Sequence, residues 1–298
     1  MKDGKTLTVD KTMEEKKTNN FLKVILKLAI LLITIAIFTS GIMLALSLIF
    51  YGQTYFNDDY KNANLVMLMG TTGQLLAAIT FVKYVLKKKL DFIFFKREDL
   101  ARNICLGLFL GFLQISIYVL LDMGRGALGY RGINLGNLNL IFLAYFIAFF
   151  IQSTSEEVLV RGILTRVLYN KYGRRLAILL PSIFFGLLHL GNEGVTILST
   201  LNTILVGIFF AKLLFYSENI MLTSGVHAGW NFSMAMIYGL NVSGFSGFDS
   251  LLNFKILNYN LYDKTYGPEG SILVTFIEII SILIIFYLEK RKRDKNGR

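Results

Sequence analysis

The sequence predicts an all-α fold, a polytopic integral membrane bundle of about eight transmembrane helices with both termini in the cytoplasm. Three observations predict it. Of the 298 residues, 54% are hydrophobic and only 17% charged, with a mean hydropathy of +0.55, whereas a water-soluble domain carries about 25% charged residues. The apolar residues come in blocks of about twenty instead of alternating with polar ones, and two prolines in the whole chain leave those blocks almost unbroken. Lysine and arginine, finally, crowd into every second connection between the blocks. The single cysteine, Cys105, lies inside an apolar block, so no disulfide framework and no redox chemistry is expected.

The first block, 22–51, follows a polar tail over 1–21 and spans about 30 residues, too long for the roughly 7–15-residue apolar core of a cleaved signal peptide. It reads as a retained span. The second and third, 64–86 and 103–121, complete an N-terminal group ending at residue 137. A core over 138–240 follows, with spans at 138–165, 176–190, 195–216 and 220–240. The fifth span is short and contains Pro181, yet LAILLPSIFFGLLHLG carries no charged residue, and neighbouring helices satisfy the backbone groups a proline frees. The Gly-, Asn- and Ser-rich stretch 241–270 is the longest connection and is placed outside the cell; an ordered loop, a re-entrant segment and a lid are all compatible with it. The last span, 271–288, leads into a basic tail ending at residue 298. No internal repeat is visible.

Orientation follows from the basic residues. The N-terminal tail and helix entry (Lys2 to Lys27), the second connection (Lys83 to Arg102), the fourth (Arg166, Lys171, Arg174, Arg175), the sixth (Lys212) and the C-terminal tail (Lys290 to Arg298) hold 25 of the 31. The other side has Lys61, Arg125, Arg131, Lys255 and Lys264, and Arg161 falls within a span. Short loops rich in Lys and Arg stay cytoplasmic. The net charge of +11 is therefore a topology signal plus attraction to anionic headgroups of the bilayer, and with no DNA-reading motif the sequence implies no nucleic-acid partner.

An ionisable group at the centre of a span costs about 2.5–3.5 kcal/mol on insertion scales, so its presence calls for a partner or a function. The fourth span carries Glu156, Glu157 and Arg161, the fifth His189, and the seventh His227 and Asn231; the chain has no other histidine. Glu157 and Arg161 are one helical turn apart and able to pair, while Glu156 is rotated about 100° away and points elsewhere. With Gln152 and Val160 one turn to either side, Glu156 has no cation on its own helix and must find a partner across the bundle, carry a proton or contact water. Counting 1.5 Å per residue from the nearest cytoplasmic charges puts Glu156 about 15 Å deep, His189 about 21 Å, His227 about 14 Å and Asn231 about 20 Å. Side chains so close in depth suit a shared site within the bilayer. The plainer readings are a self-neutralising ion pair for Glu157 with Arg161, interhelical hydrogen bonds for single histidines, packing for Phe185, and close helix approach for Gly107 with Gly111 and Gly225 with Gly229. Two histidines beside an unpaired glutamate weigh against them.

A pattern such as EExxxR arises about 0.04 times by chance in a chain this long, against about 0.7 times for HxxxN or FxxxH. In order and on separate spans, the three resemble the motifs of the CPBP family, which comprises CAAX-type prenyl endopeptidases and bacteriocin-processing or bacteriocin-immunity proteins, also called the Abi family. Glu156, Glu157 and Arg161 match its EExxxR, Phe185 and His189 its FxxxH, and His227 and Asn231 its HxxxN. The resemblance covers about 138–240 and implies an intramembrane endopeptidase acting near the cytoplasmic face.

Peptide hydrolysis requires an activated water, a base and donors for the developing oxyanion. A glutamate shielded from bulk water makes a suitable base. Glu156 takes that role with His189 holding the same water, His227 and Asn231 supply the oxyanion donors, and Glu157, Arg161 and Phe185 support the set. Two histidines and a carboxylate would also make a zinc set with an open position, and members of the family are commonly named metalloproteases. Without an HExxH pair, and with ligands from three helices, the reading leans to a metal-independent glutamate mechanism. A membrane regulator or bacteriocin-immunity partner that binds a membrane protein without cleaving is the alternative, and its mark would be a decayed site. A proton-coupled transporter would show inverted repeats. Expected substrates are short membrane-associated peptides or protein tails, such as a pheromone, a bacteriocin precursor or a CAAX-like tail. Twenty lysines against eleven arginines suggest an AT-rich bacterial genome and a plasma-membrane location.

Overall fold

The computed structural model describes residues 26–27, 29–46, 60–295 and 297; the tail expected over 1–21 lies outside the described residues. The helices are α1 (Ala29–Leu46), α2 (Tyr60–Thr80), α3 (Leu100–Gly124), α4 (Leu140–Glu157), α5 (Thr165–Leu188), α6 (Ile197–Ser217), α7 (Ile220–Phe232) and α8 (Ile272–Lys295), with two short strands, β1 (Leu128–Ile133) and β2 (Leu252–Ile256). Among the described residues, six helical runs are long and apolar enough to cross a membrane. The all-α, polytopic expectation holds. Exposed apolar side chains such as Phe109, Leu113 and Leu120 on α3 and Phe276, Ile280 and Leu283 on α8 form the outer surface, as a bundle solvated by acyl chains requires.

The fourth and fifth expected spans form one run, Leu140–Leu188. Its π-helical middle, Val158–Leu164, joins α4 to α5, and the run breaks at Gly173, where φ is 77° and ψ 179°. The break falls within the charged stretch that the sequence reserves for a connection, and the stretch expected to link the two spans is largely helical. Only glycine adopts that backbone region readily, and other residues there cost about 1–3 kcal/mol. A Cβ at Gly173 would meet no atom within 4 Å, so the backbone alone decides the effect. Gly173→Ala is accordingly expected to lower stability by about 1–3 kcal/mol, measured as unfolding in mixed detergent micelles. Pro181 sits buried inside α5, and Ser182 Oγ donates to the Ile178 carbonyl at 2.6 Å.

The seventh expected span is a different kind of helix. Every residue of α7 from Ile220 to Phe232 is buried, with α3, α4 and α6 packed around it. At 13 residues it is not among the six long runs; it continues as a π-helical turn, Ser233–Ile237. A helix wrapped by protein need not match the hydrocarbon thickness, and it tolerates polar residues that lipid would not. The glycine pairs permit the wrapping: a Cβ on Gly107 would stand 2.5 Å from the Leu222 carbonyl oxygen and 2.8 Å from Gly225 Cα, and one on Gly225 would stand 2.9 Å from the Ile104 oxygen. Small residues let the α3 and α7 backbones touch.

The connection 241–270 is an ordered loop. β2 pairs antiparallel with β1, Leu128 opposite Ile256 and Ile133 opposite Leu252, with a bulge between Tyr130 and Gly132. Buried Asp122 at the end of α3 accepts from Arg125 Nε at 2.6 Å, and Arg125 Nη2 donates to the Leu261 carbonyl at 2.6 Å. Asn64 on α2 and Asn137 donate to the carbonyls of Ser246 and Ser250, each at 2.8 Å. At the other end of the bundle, Lys96 lies 2.9 Å from Glu218 and holds its carboxyl below the usual range.

Candidate active site

A cavity of about 1180 Å³ runs down the bundle, lined by residues of α1, α2, α4, α5, α6, α7 and α8 and by the 241–270 loop. Its wall is mostly apolar, and Gln152, Glu156, Phe185, His189, His227 and Asn231 all lie on it. The residues singled out on three separate spans therefore meet at one site.

The last turn of α4 and the π-helical segment after it supply the acidic half. Arg161 Nη1 donates to Glu157 Oε1 at 3.0 Å, with both side chains wholly buried. The Arg161 guanidinium lies 4.1 Å over the Phe185 ring and 5.4 Å from that of Phe210, so two aromatic faces stabilise a charge that has no water around it. π-helical turns recur at functional sites because the extra residue redirects side chains.

Both carboxylates converge on His227, which corrects the expectation that Glu156 points away from Glu157. His227 Nδ1 is 3.1 Å from Glu157 Oε1, and Nε2 is 3.8 Å from Glu156 Oε2. Two residues about 100° apart on a helix can reach one imidazole because its nitrogens face different directions. Phe210 and Phe185 enclose the ring, at centroid distances of 5.2 and 6.1 Å. Since the Glu157 carboxylate only accepts, Nδ1 carries the proton of that bond.

Gln152, one turn before Glu156, is the residue the sequence did not single out. Its Nε2 donates to Glu156 Oε1 at 2.6 Å, while its Oε1 accepts from Asn231 Nδ2 at 3.3 Å and from Ser153 Oγ at 3.1 Å. Asn231, Gln152, Glu156, His227, Glu157 and Arg161 thus form one polar chain across α4 and α7. Glu156 Oε2 accepts no hydrogen bond, because 3.8 Å is beyond hydrogen-bond reach.

His189 caps the end of α5. Its ring packs 4.7 Å from Phe185, and Nδ1 bonds the Phe185 carbonyl at 2.8 Å. A carbonyl can only accept, so Nδ1 is the protonated nitrogen and Nε2 keeps its lone pair. His189 shares the cavity with Glu156 and His227 but makes no hydrogen bond to either.

Among the described residues no three His, Cys, Asp or Glu side chains are grouped to hold a metal. His227 Nδ1, His189 Nδ1 and Glu156 Oε1 are engaged by Glu157, Phe185 and Gln152, which leaves the two Nε2 atoms and Glu156 Oε2 as the atoms that would hold a metal ion. No step below is routed through a metal.

Residues 138–233 match the family model described as type II CAAX prenyl endopeptidase Rce1-like. Every motif residue from Glu156 to Asn231 lies inside that segment. No curated protein matches the chain.

Proposed function

We propose, from the premise that residues 138–233 belong to the CAAX-protease (CPBP) family, that the protein is an intramembrane endopeptidase whose general base is Glu156. The supporting observation is the free Glu156 Oε2 in a largely apolar cavity, 3.8 Å from His227 Nε2. Charge counting assigns the protons. Glu157 and Arg161 cancel, so Glu156 as carboxylate balances His227 as imidazolium, and a buried set whose charges sum to zero is the least costly. His227 then donates through Nδ1 to Glu157 and has an Nε2–H left over.

Water held by Glu156 Oε2 and the lone pair of His189 Nε2 attacks the scissile carbonyl carbon. Its proton passes to Glu156, and the carbonyl oxygen becomes an oxyanion facing His227 Nε2–H and Asn231 Nδ2–H. Collapse breaks the C–N bond, and Glu156 returns the proton to the leaving amine. The products are a peptide ending in a new carboxylate and one beginning with a new amine. Gln152 fixes the carboxylate rotamer of Glu156 through Oε1, which leaves Oε2 for water. Both termini and the basic connections are assigned to the cytoplasm, as the Lys and Arg distribution requires. Substrates are short peptides or protein tails that enter from the bilayer, and the host membrane is assigned as a bacterial plasma membrane.

Purified protein offered a peptide library is expected to keep its activity in chelator and to place one labelled oxygen from H₂¹⁸O in each new carboxyl terminus. Zinc bound stoichiometrically and lost together with activity would replace this mechanism with a metal-dependent one, and absence of cleavage throughout would favour a binding role.

A further inference from the structure

A second buried carboxyl lies on the cavity wall and has no part in the hydrolysis described above. Glu278 on α8 is 1% exposed and lines the cavity with Val274, one turn earlier. Its Oε2 accepts no hydrogen bond, and the side chain pairs with no cation among the described residues. Donors along the same stretch of wall are committed elsewhere. Asn202 Nδ2 donates to the carbonyls of Glu269 and Ser271 at 2.8 and 2.9 Å, the Thr203 hydroxyl to the Ser199 carbonyl at 2.8 Å, and the Thr275 hydroxyl to Asn202 Oδ1 at 2.6 Å.

The charges on the cavity wall are uneven. Among the described residues three carboxyls, Glu156, Glu269 and Glu278, line it against one lysine, Lys27, and two histidines, of which His227 is already matched to Glu156. Gln152 bonds Glu156, and the backbone N–H and hydroxyl of Ser243 bond Glu269 at 2.8 and 2.6 Å. Glu278 has no such partner among the described residues, and a carboxyl buried in this way keeps its proton until a positive group joins it and makes the ionised form favourable. Twelve residues separate Glu278 from Lys290, a rise of about 18 Å along the helix, so it stands at nearly the depth of Glu156.

We infer that Glu278 is a specificity-determining residue: it receives the ammonium or guanidinium of a Lys or Arg side chain on the peptide occupying the cavity. The inference rests on reading this cavity as the peptide site, and it restricts the substrate to a basic class. A charge-assisted hydrogen bond in a water-poor cavity is among the stronger polar contacts available. A carboxylate here also disfavours an acidic residue at the same peptide position.

The test uses short apolar peptides that differ only in having Lys or norleucine at one position, moved along the sequence. Cleavage is measured with wild type and Glu278→Gln, and binding by fluorescence anisotropy with Glu156→Gln and with the double variant. At one position the Lys peptide is expected to exceed its norleucine counterpart about tenfold in both readouts, and Glu278→Gln to bring the ratio within about twofold. Both peptides meet the same preparation, so partial unfolding lowers both signals and leaves the ratio intact. A ratio near one at every position in wild type, or a ratio that survives Glu278→Gln, overturns the inference. Binding preference without cleavage would sink the hydrolase and keep the cation site, and cleavage without preference would do the reverse. Failure of every peptide either to bind or to be cleaved counts against both.

Discussion

Glu156→Gln is expected to accumulate as a folded protein and to lose cleavage by about 10²–10⁴-fold, the range for removing a general base. The substitution keeps the shape of the side chain and a carbonyl oxygen that Gln152 Nε2 can still bond, so the 2.6 Å contact survives in kind. It removes the carboxylate oxygen assigned to take the proton from water. The decisive comparison is kcat, because a residue that only shapes the cavity would alter KM and leave turnover largely intact. Wild-type turnover in the variant would eliminate Glu156 as base and leave Glu157 as the only other carboxylate on this helix turn.

The second large effect concerns stability. Arg161→Ala is expected to cost about 3–5 kcal/mol, because it leaves Glu157 charged and buried with only His227 beside it. Removing both partners should cost less than the sum of the single changes: Glu157→Gln combined with Arg161→Ala is expected to cost about 1–3 kcal/mol less than that sum. Unfolding in mixed micelles measures the whole cycle. Strict additivity would show that the 3.0 Å ion pair contributes nothing specific, and that Arg161 acts through its stacking on Phe185 and Phe210.

Much of this architecture was legible in the residues. Long apolar blocks reveal where helices run because lipid demands about twenty such residues regardless of partners, and comparable depths along three spans pointed to the residues that line one cavity. The i,i+4 spacing foretold the Glu157–Arg161 pair, since it depends on one helix alone. What lay hidden depends on the other side of a contact. Gln152 carries no charge, so a search for cations around Glu156 passes over it, although an amide can both donate and accept. The convergence of Glu156 and Glu157 on His227 requires the position of α7, which helical periodicity in α4 does not contain. Glu278 stood within a block otherwise apolar enough to read simply as a span. The order in the 241–270 loop was equally invisible, because β2 pairs with a strand more than a hundred residues earlier.

The wrapping of α7 has a consequence for biogenesis. The helix Ile220–Phe232 rises about 20 Å and, with its π-helical continuation to Ile237, about 25 Å, still short of the roughly 30 Å layer a newly made helix must cross to settle in lipid alone, and it carries a histidine and an asparagine. The segment is therefore expected to insert poorly as an independent span. It is expected to settle against α3 and α4, which emerge from the ribosome earlier, so the bundle is complete only after that late docking step.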